Sequence, residues 1–318
     1  MAELLAADDL REIGYENGTR HVLHVVPAHR EENDDGSALL DSESVVLVTG
    51  GARGIGARIS AAVARRFGCR LELVGRTTPT TAEPDSELDH APDASSLRGV
   101  LAGRGGLRPA EIEARVSQIL AERDIRATLE TLREAGSDVR YHAVDVRDQE
   151  AFGRLVDDLY ARHGRLDGVI HAAGIIEDRL FRDKTPESFA RVFDTKVAGA
   201  LTLAQRLRDD VAFVVFFSSV ASVFGNRGQV DYAAANDVLD KLAVVLNSRL
   251  PGRVLSINWG PWGDGGMVSP ELARELARRG VGLIAPDEGG EEFIAELLHG
   301  PRDDAQVVLV KAGPAALT

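Results

Sequence analysis

From Ser44 onward, short apolar runs alternate with helical patterns, and this alternation constrains the fold more than any other feature of the chain. The runs at 45–48, 71–74, 141–146, 168–171, 211–217, 254–258 and 307–310 read as strands. Stretches at about 56–67, 149–163, 186–207, 231–249 and 288–298 read as helices. Strands separated by helices pair in parallel, because a crossover must return the chain to the same end of the sheet. The expected class is therefore α/β, a doubly wound parallel seven-stranded Rossmann sheet with helices on both faces. A chain of 318 residues can form one large domain or two small ones, with a substantial core.

Two segments depart from the alternation. Within residues 1–43, HVLHVVP at 21–27 reads as a strand, and a polar, acidic run of linker composition follows it. A lone strand cannot bury itself, so it must pair elsewhere in this chain or in a part outside it. We read 1–43 as a linker or the end of a structural subdomain, and 44–318 as the main domain. Residues 77–136 form an insert after the second strand, far longer than an ordinary crossover. Its Pro-, Ser- and Asp-rich first part reads as loop. Its second part reads as helix, with Pro109 near the start and Gly136 past the end. A surface elaboration is the plainer account of the insert, with docking or dimerisation as the alternative.

Composition removes several function classes. A net charge of −13 argues against nucleic-acid binding. Neither an 18-residue apolar run nor a signal-peptide pattern occurs, so neither a membrane nor export is expected. The single Cys69 excludes a disulfide framework and a cysteine-rich metal site, and suits a reducing cytoplasm. No metal is expected.

VVLVTGGARGIGARIS places a glycine-rich turn directly between a strand and a helix. That context suits a dinucleotide pyrophosphate, which sits at the helix N-terminus where glycines let the backbone approach. Candidate contacts are Thr49, Gly50, Gly51, Arg53, Gly54, Ile55 and Gly56. At the end of the second strand Arg76 stands where an acidic residue would hold a ribose 2′-hydroxyl. A guanidinium there favours a 2′-phosphate, hence NADPH, although a solvated strand-end charge is the ordinary alternative. Asp145 and Val146, at the end of the third strand, would flank the adenine.

Downstream, VVFFSSVASVFGNRGQVDYAAANDVL reads as a buried strand ending in Ser218 and Ser219, a loop with Gly225 and Gly228, and an Ala-rich helix carrying Tyr232 and Asn236. Tyr232 and Asn236 are i and i+4, so they share one helix face. Ligands bind at the carboxyl ends of strands in open α/β sheets, which makes a strand-end serine facing a helical tyrosine a candidate site.

With TGGARGIG, HAAG (171–174), FFSSVASVFG, YAAAN and NWGPWGDGGM in hand, the chain resembles the short-chain dehydrogenase/reductase superfamily. More narrowly it resembles ketoreductase domains of polyketide synthases, and most closely those of polyunsaturated-fatty-acid-type synthases. The distinguishing feature is an exchange. Ordinary members carry Tyr and Lys at i and i+4, whereas here the i+4 partner is Asn236 and Lys196 stands on the preceding helix.

The resemblance implies NADPH-dependent reduction of a 3-oxoacyl group on an acyl carrier protein, within a larger synthase. A redox-inactive scaffold domain and a free-standing reductase of a small ketone are the alternatives. By resemblance, Tyr232 is the acid, with Lys196 lowering its pKa and holding the nicotinamide ribose. Ser219, thirteen residues before Tyr232, would fix the carbonyl oxygen; Ser218 is then a capped strand end. Asn236 would support a proton relay and hold Lys196, and Ala172, Ala173 and Gly174 would line the cofactor.

For stereocontrol the relevant residues are Ile176-Glu177-Asp178, which keeps the last Asp of an LDD-like motif, and Phe224, which stands where a Trp marks the opposite hand. Both favour a 3R alcohol, and Ala234 gives no sign of an α-methyl requirement. Residues 264–285, with Gly265 and Gly266, correspond to a substrate lid. Met267 and Trp262 would touch the acyl chain, core packing being an equal account of Trp262. Arg179 and Arg182 are candidates for carrier-protein docking.

Overall fold

A computed structural model describes residues 12–28, 30, 39–80, 85–263, 270–278 and 280–313. In chain order the strands are β1 (Ile13–Glu16), β2 (Thr19–Val22), β3 (Val45–Thr49), β4 (Arg70–Gly75), β5 (Val139–Ala143), β6 (Gly168–His171), β7 (Phe213–Ser219), β8 (Arg253–Trp259), β9 (Val281–Gly282), β10 (Gln306–Leu309) and β11 (Lys311–Ala312). The helices are α1 (Gly54–Phe67), α2 (Ser86–His90), α3 (Ala94–Arg104), α4 (Pro109–Glu134), α5 (Gln149–His163), α6 (Pro186–Arg206), α7 (Val220–Phe224), α8 (Val230–Asn247), α9 (Pro270–Arg278) and α10 (Pro286–His299).

Seven strands form one sheet in the order β10-β8-β7-β6-β3-β4-β5, and every pairing in it is parallel. The chain winds outward from β3 to β5, then crosses back to place β6 on the other side of β3. Strand order reverses there, and the helices that follow β3 and β6 pack on opposite faces, which leaves a crevice outside the carboxyl ends of the two strands.

Alternation along β3 shows how the sheet is sandwiched. Val46 and Val48 join a core with residues of α1, α4 and α10, while Val45 and Leu47 join a second core with α5, α6 and α8. Because both faces are covered, β3 and β8 are buried along their whole length, and β3 opens as the continuous apolar run Val45–Val48.

Three expectations need correction. The N-terminal strand is β2, which starts and ends earlier than its apolar run suggested, and it pairs with β1 in a hairpin. The turn is Asn17-Gly18 with φ of 50° and 82°, the left-handed pair that a two-residue hairpin needs. The stretch 77–96, read as loop, contains α2 and the start of α3, each begun by an aspartate that accepts from the backbone: Asp85 from Leu88 N–H and Asp93 from Ser96 N–H. With the first half of α4 they bury a small core of their own around Leu97 and Leu101. Finally, the stretch after β7 forms a five-residue helix, α7, before the glycine-bearing loop.

Candidate active site

The crevice is a cavity of about 1390 Å³ that runs from the N-terminus of α1 to the end of β7 and the start of α8. Its nucleotide end is shaped by backbone. A Cβ on Gly56 would lie 2.1 Å from the Gly50 carbonyl oxygen, and one on Gly50, held at φ +69°, would lie 2.9 Å from Ala173 N. The turn is thus drawn against the start of α1. Arg53 caps that helix without a side-chain hydrogen bond, and the first turn holds no acidic residue. Its free N–H groups and positive dipole end fit a pyrophosphate.

Gly50, Arg53, Gly54, Ile55, Gly56, Arg76, Asp145, Val146, Ala172, Ala173 and Gly174 all line this cavity, as do Lys196, Ser219, Tyr232, Phe224 and Trp262. Thr49 and Gly51 do not line it and are, respectively, buried at the end of β3 and buried in the turn. The Asp145 carboxylate is engaged by Arg147 at 2.6 Å, a contact that holds it below the usual range. Arg53 reaches Asp124 at 3.3 Å on α4. The second half of α4, including Asp124, Ile125 and Thr128, forms a wall of the nucleotide end, so this part of the insert is more than a surface elaboration.

At the other end, Ser219 closes β7 and its Oγ accepts from Ala221 N–H at 3.2 Å, starting α7. The capping role expected of Ser218 therefore falls to Ser219. Ser218 is buried and receives a hydrogen bond from Asn258 Nδ2 at 3.0 Å. Tyr232 sits in the first turn of α8, its ring packed with Val192, Ala221, Ile175 and Ile176. Burial pushes its phenol above 10, while the Ser219 and Asn236 side chains pull the other way.

Lys196 Nζ lies 5.6 Å from the centre of the Tyr232 ring and donates to the Phe217 carbonyl at 2.6 Å. Burial lowers this lysine to about 8, opposed by the charge of Asp240. Two expectations change as a result. The phenol stands above its ordinary value, because desolvation outweighs the opposing Ser219 and Asn236 side chains. Nor does Asn236 hold Lys196: its Nδ2 donates to the Tyr232 carbonyl at 2.7 Å, and its buried Oδ1 has no hydrogen-bond partner among the described residues.

Asp178 does not line the cavity; its carboxylate accepts from Gln229 Nε2 at 3.0 Å. Trp262 is 2% exposed, packed edge-on to Trp259 at 5.0 Å, so core packing is its main employment. Met267, Gly265 and Gly266 lie outside the described residues, with only α9 and β9 of the expected lid region forming described elements.

Two features behind the site had no reading in the sequence. His171 is fully buried between Thr49 Oγ1 (2.7 Å) and the Lys196 carbonyl (2.8 Å). Burial lowers it to about 4, so the ring is neutral. A carbonyl only accepts, so Nε2 carries the proton and Nδ1 accepts from the Thr49 hydroxyl. Asp240, also buried, accepts from Ser222 Oγ (2.6 Å), Ser256 Oγ (2.6 Å) and Asn258 Nδ2 (2.8 Å), and Ser222 in turn lies 2.8 Å from the Ser219 carbonyl. HAAG was legible as a motif, but its histidine contact was not. Asp240 reads in sequence as an ordinary helix aspartate.

A family model described as "KR domain" matches residues 44–264. The chain belongs to this family. It is 33% identical over 311 residues to a polyunsaturated fatty acid synthase protein of Thraustochytrium sp., spanning 94% of this chain and 11% of that protein. To the polyketide synthase ThaG of Burkholderia thailandensis it is 33% identical over 289 residues, 89% of this chain and 4% of that one. Among solved structures it is similar to a ketoreductase domain from the bacillaene assembly line, with a TM-score of 0.72 and 29% identity, covering 96% of this chain and 64% of the other. This KR domain thus spans a small fraction of the curated relatives it matches.

Proposed function

We propose that this KR domain reduces a 3-oxoacyl thioester, carried on an acyl carrier protein, to the 3-hydroxyacyl thioester at the expense of NADPH. The observation carrying the proposal is convergence: Ser219, Tyr232 and Lys196 line the same cavity as the uncapped N-terminus of α1 and the Arg76 guanidinium. Bound there, NADPH supplies the hydride. Arg76 and Arg53, both of which line the cavity, are the guanidinium groups that would hold its 2′-phosphate.

The remaining chemistry belongs to the chain. The Ser219 hydroxyl donates to the ketone oxygen and fixes its position. Tyr232 gives its phenolic proton to the alkoxide as it develops, and the phenol is fully protonated at neutral pH because burial holds its pKa up. Lys196, beside the ring, favours the phenolate left behind and holds the nicotinamide ribose. The orphaned Asn236 Oδ1 is a ready acceptor for a water that returns a proton to Tyr232.

We read the product as the 3R alcohol, from Asp178 and from Phe224 in place of Trp. Arg179 and Arg182 are read as carrier-protein contacts, with Arg182 largely exposed. Neighbouring domains of a cytoplasmic synthase complete the reading; among the described residues no helix is long and apolar enough to cross a membrane. The test follows NADPH absorbance with a 3-oxoacyl thioester mimic and resolves the alcohol formed. Tyr232→Phe should lose roughly a hundredfold or more in turnover while binding NADPH normally. Cofactor binding without turnover in the wild type, under conditions where another ketoreductase acts on the same mimic, would refute the proposal.

A further inference from the structure

The loop that follows β6 carries Ile175 and Ile176 into the cavity wall beside Tyr232, yet residues 172–180 form no regular secondary structure. Side-chain and isolated backbone contacts must therefore hold it. Three of these reach the four residues just before Tyr232. Arg179 N–H donates to the Gly228 carbonyl at 3.0 Å, and Gln229 Nε2 donates to Asp178 at 3.0 Å. The third is an ion pair: Lys184 Nζ donates to Asp231 Oδ2 at 2.5 Å and to the Glu177 carbonyl at 2.6 Å. Its two side chains are 3% and 1% exposed. The other carboxylate oxygen, Asp231 Oδ1, accepts the Tyr232 backbone N–H at 2.9 Å.

A buried ion pair is poor value as a stabiliser, since well-packed apolar side chains of similar volume do as well or better. What it supplies is direction. A single ammonium here bonds the loop backbone at Glu177 and the helix residue that also bonds Tyr232. Loop and phenol are thereby placed relative to one another rather than each relative to the sheet. We propose that Lys184 and Asp231 are positioning residues that set which face of the ketone meets the hydride, by fixing the loop wall against Tyr232. This rests on the ketoreductase reading above. The isoleucine wall decides from which side an acyl chain can reach the Ser219–Tyr232 pair, and a loosened wall admits both.

The test uses Lys184→Met with Asp231→Asn, which leaves no unpaired charge and keeps an acceptor for the Tyr232 amide. Lys184→Leu with Asp231→Ser serves as a second pair should the first prove unstable. Two readouts are taken: the enantiomer ratio of the alcohol from a 3-oxoacyl thioester mimic, and amide exchange at Arg179. The expected result is a ratio lowered roughly tenfold, faster exchange at Arg179, and unchanged NADPH affinity. An unchanged ratio with reduced turnover would show the pair to be merely structural and overturn the proposal. Unchanged exchange at Arg179 would overturn it equally. If the wild type fails to reduce the mimic, the functional reading falls, and exchange at Arg179 alone decides whether the pair holds the loop.

Discussion

Replacing His171 by asparagine should abolish a pH dependence of stability that the wild type carries between its ordinary pKa of 6.5 and its folded value of about 4. Above the upper limit the ring is neutral in both folded and unfolded chains, and its contribution is fully present. As pH falls, the unfolded chain takes up a proton that the folded chain refuses, because the charged ring would be cut off from water in its buried site and would face the adjacent Lys196 ammonium. Stability then falls by about 1.4 kcal/mol per pH unit, or about 3 kcal/mol over the whole window. Below the folded value both states are protonated and the loss levels off. Urea unfolding of wild type and His171→Asn across this range gives the measurement. Other titrating groups, including Glu72 between His142 and His163, act in both proteins and cancel in the difference. Near neutral pH the variant should already be less stable by about 1–3 kcal/mol, because Asn cannot serve both the Thr49 hydroxyl and the Lys196 carbonyl. The stability advantage of the wild type should then shrink on acidification. A difference that stays constant across the window would refute the reading of His171 as a neutral buried link.

Two predictions concern the nucleotide end. Arg76→Ser should weaken NADPH binding about tenfold or more and leave NADH nearly unaffected, measured by fluorescence titration of each reduced cofactor. Gly56→Ala should abolish tight cofactor binding in a folded protein, because its Cβ meets the Gly50 carbonyl oxygen at 2.1 Å and must push the turn away from the helix N-terminus; titration beside circular dichroism checks both halves of that statement.

The sheet was legible because its signal is repeated and local. Most strands of the sheet contain an apolar run, and the runs at 168–171 and 307–310 needed little adjustment. The lining of the candidate site was legible where one residue type in one context stands out, as at Gly50, Gly54, Gly56, Arg76, Ser219 and Tyr232, which line one cavity. What escaped is of two kinds. The hairpin and the insert helices depend on capping and turn residues, Asn17-Gly18, Asp85 and Asp93, which sit in polar stretches that hydrophobic periodicity passes over. The second kind depends on partners distant in sequence. Asp240 gathers hydroxyls from Ser222 on α7 and Ser256 on β8, and Asp124 meets Arg53 across 71 residues. Nothing local marks such a residue as buried or paired.

The position of the lysine makes sense only when its backbone is considered with its ammonium. Lys196 stands on α6, so its carbonyl can receive His171 Nε2–H while Nζ extends to the Phe217 carbonyl on β7. His171 is bonded in turn by Thr49, the last residue of β3 before the glycine turn. Close approach is required throughout this chain of contacts. A Cβ at Gly199, one turn along α6, would lie 2.7 Å from His171 Cε1, and one at Gly174 would lie 3.0 Å from Lys196 Cε. A lysine on α8 beside Tyr232 would have no such link to the strand that carries the nucleotide turn. With the charge supplied from α6, position 236 is free for an uncharged side chain that bonds the Tyr232 carbonyl and leaves one oxygen for water. Lys196 thus links the tyrosine, whose ring lies 5.6 Å from its Nζ, to the strand that carries the glycine turn, while the Lys184–Asp231 pair ties the start of α8 to the loop after β6.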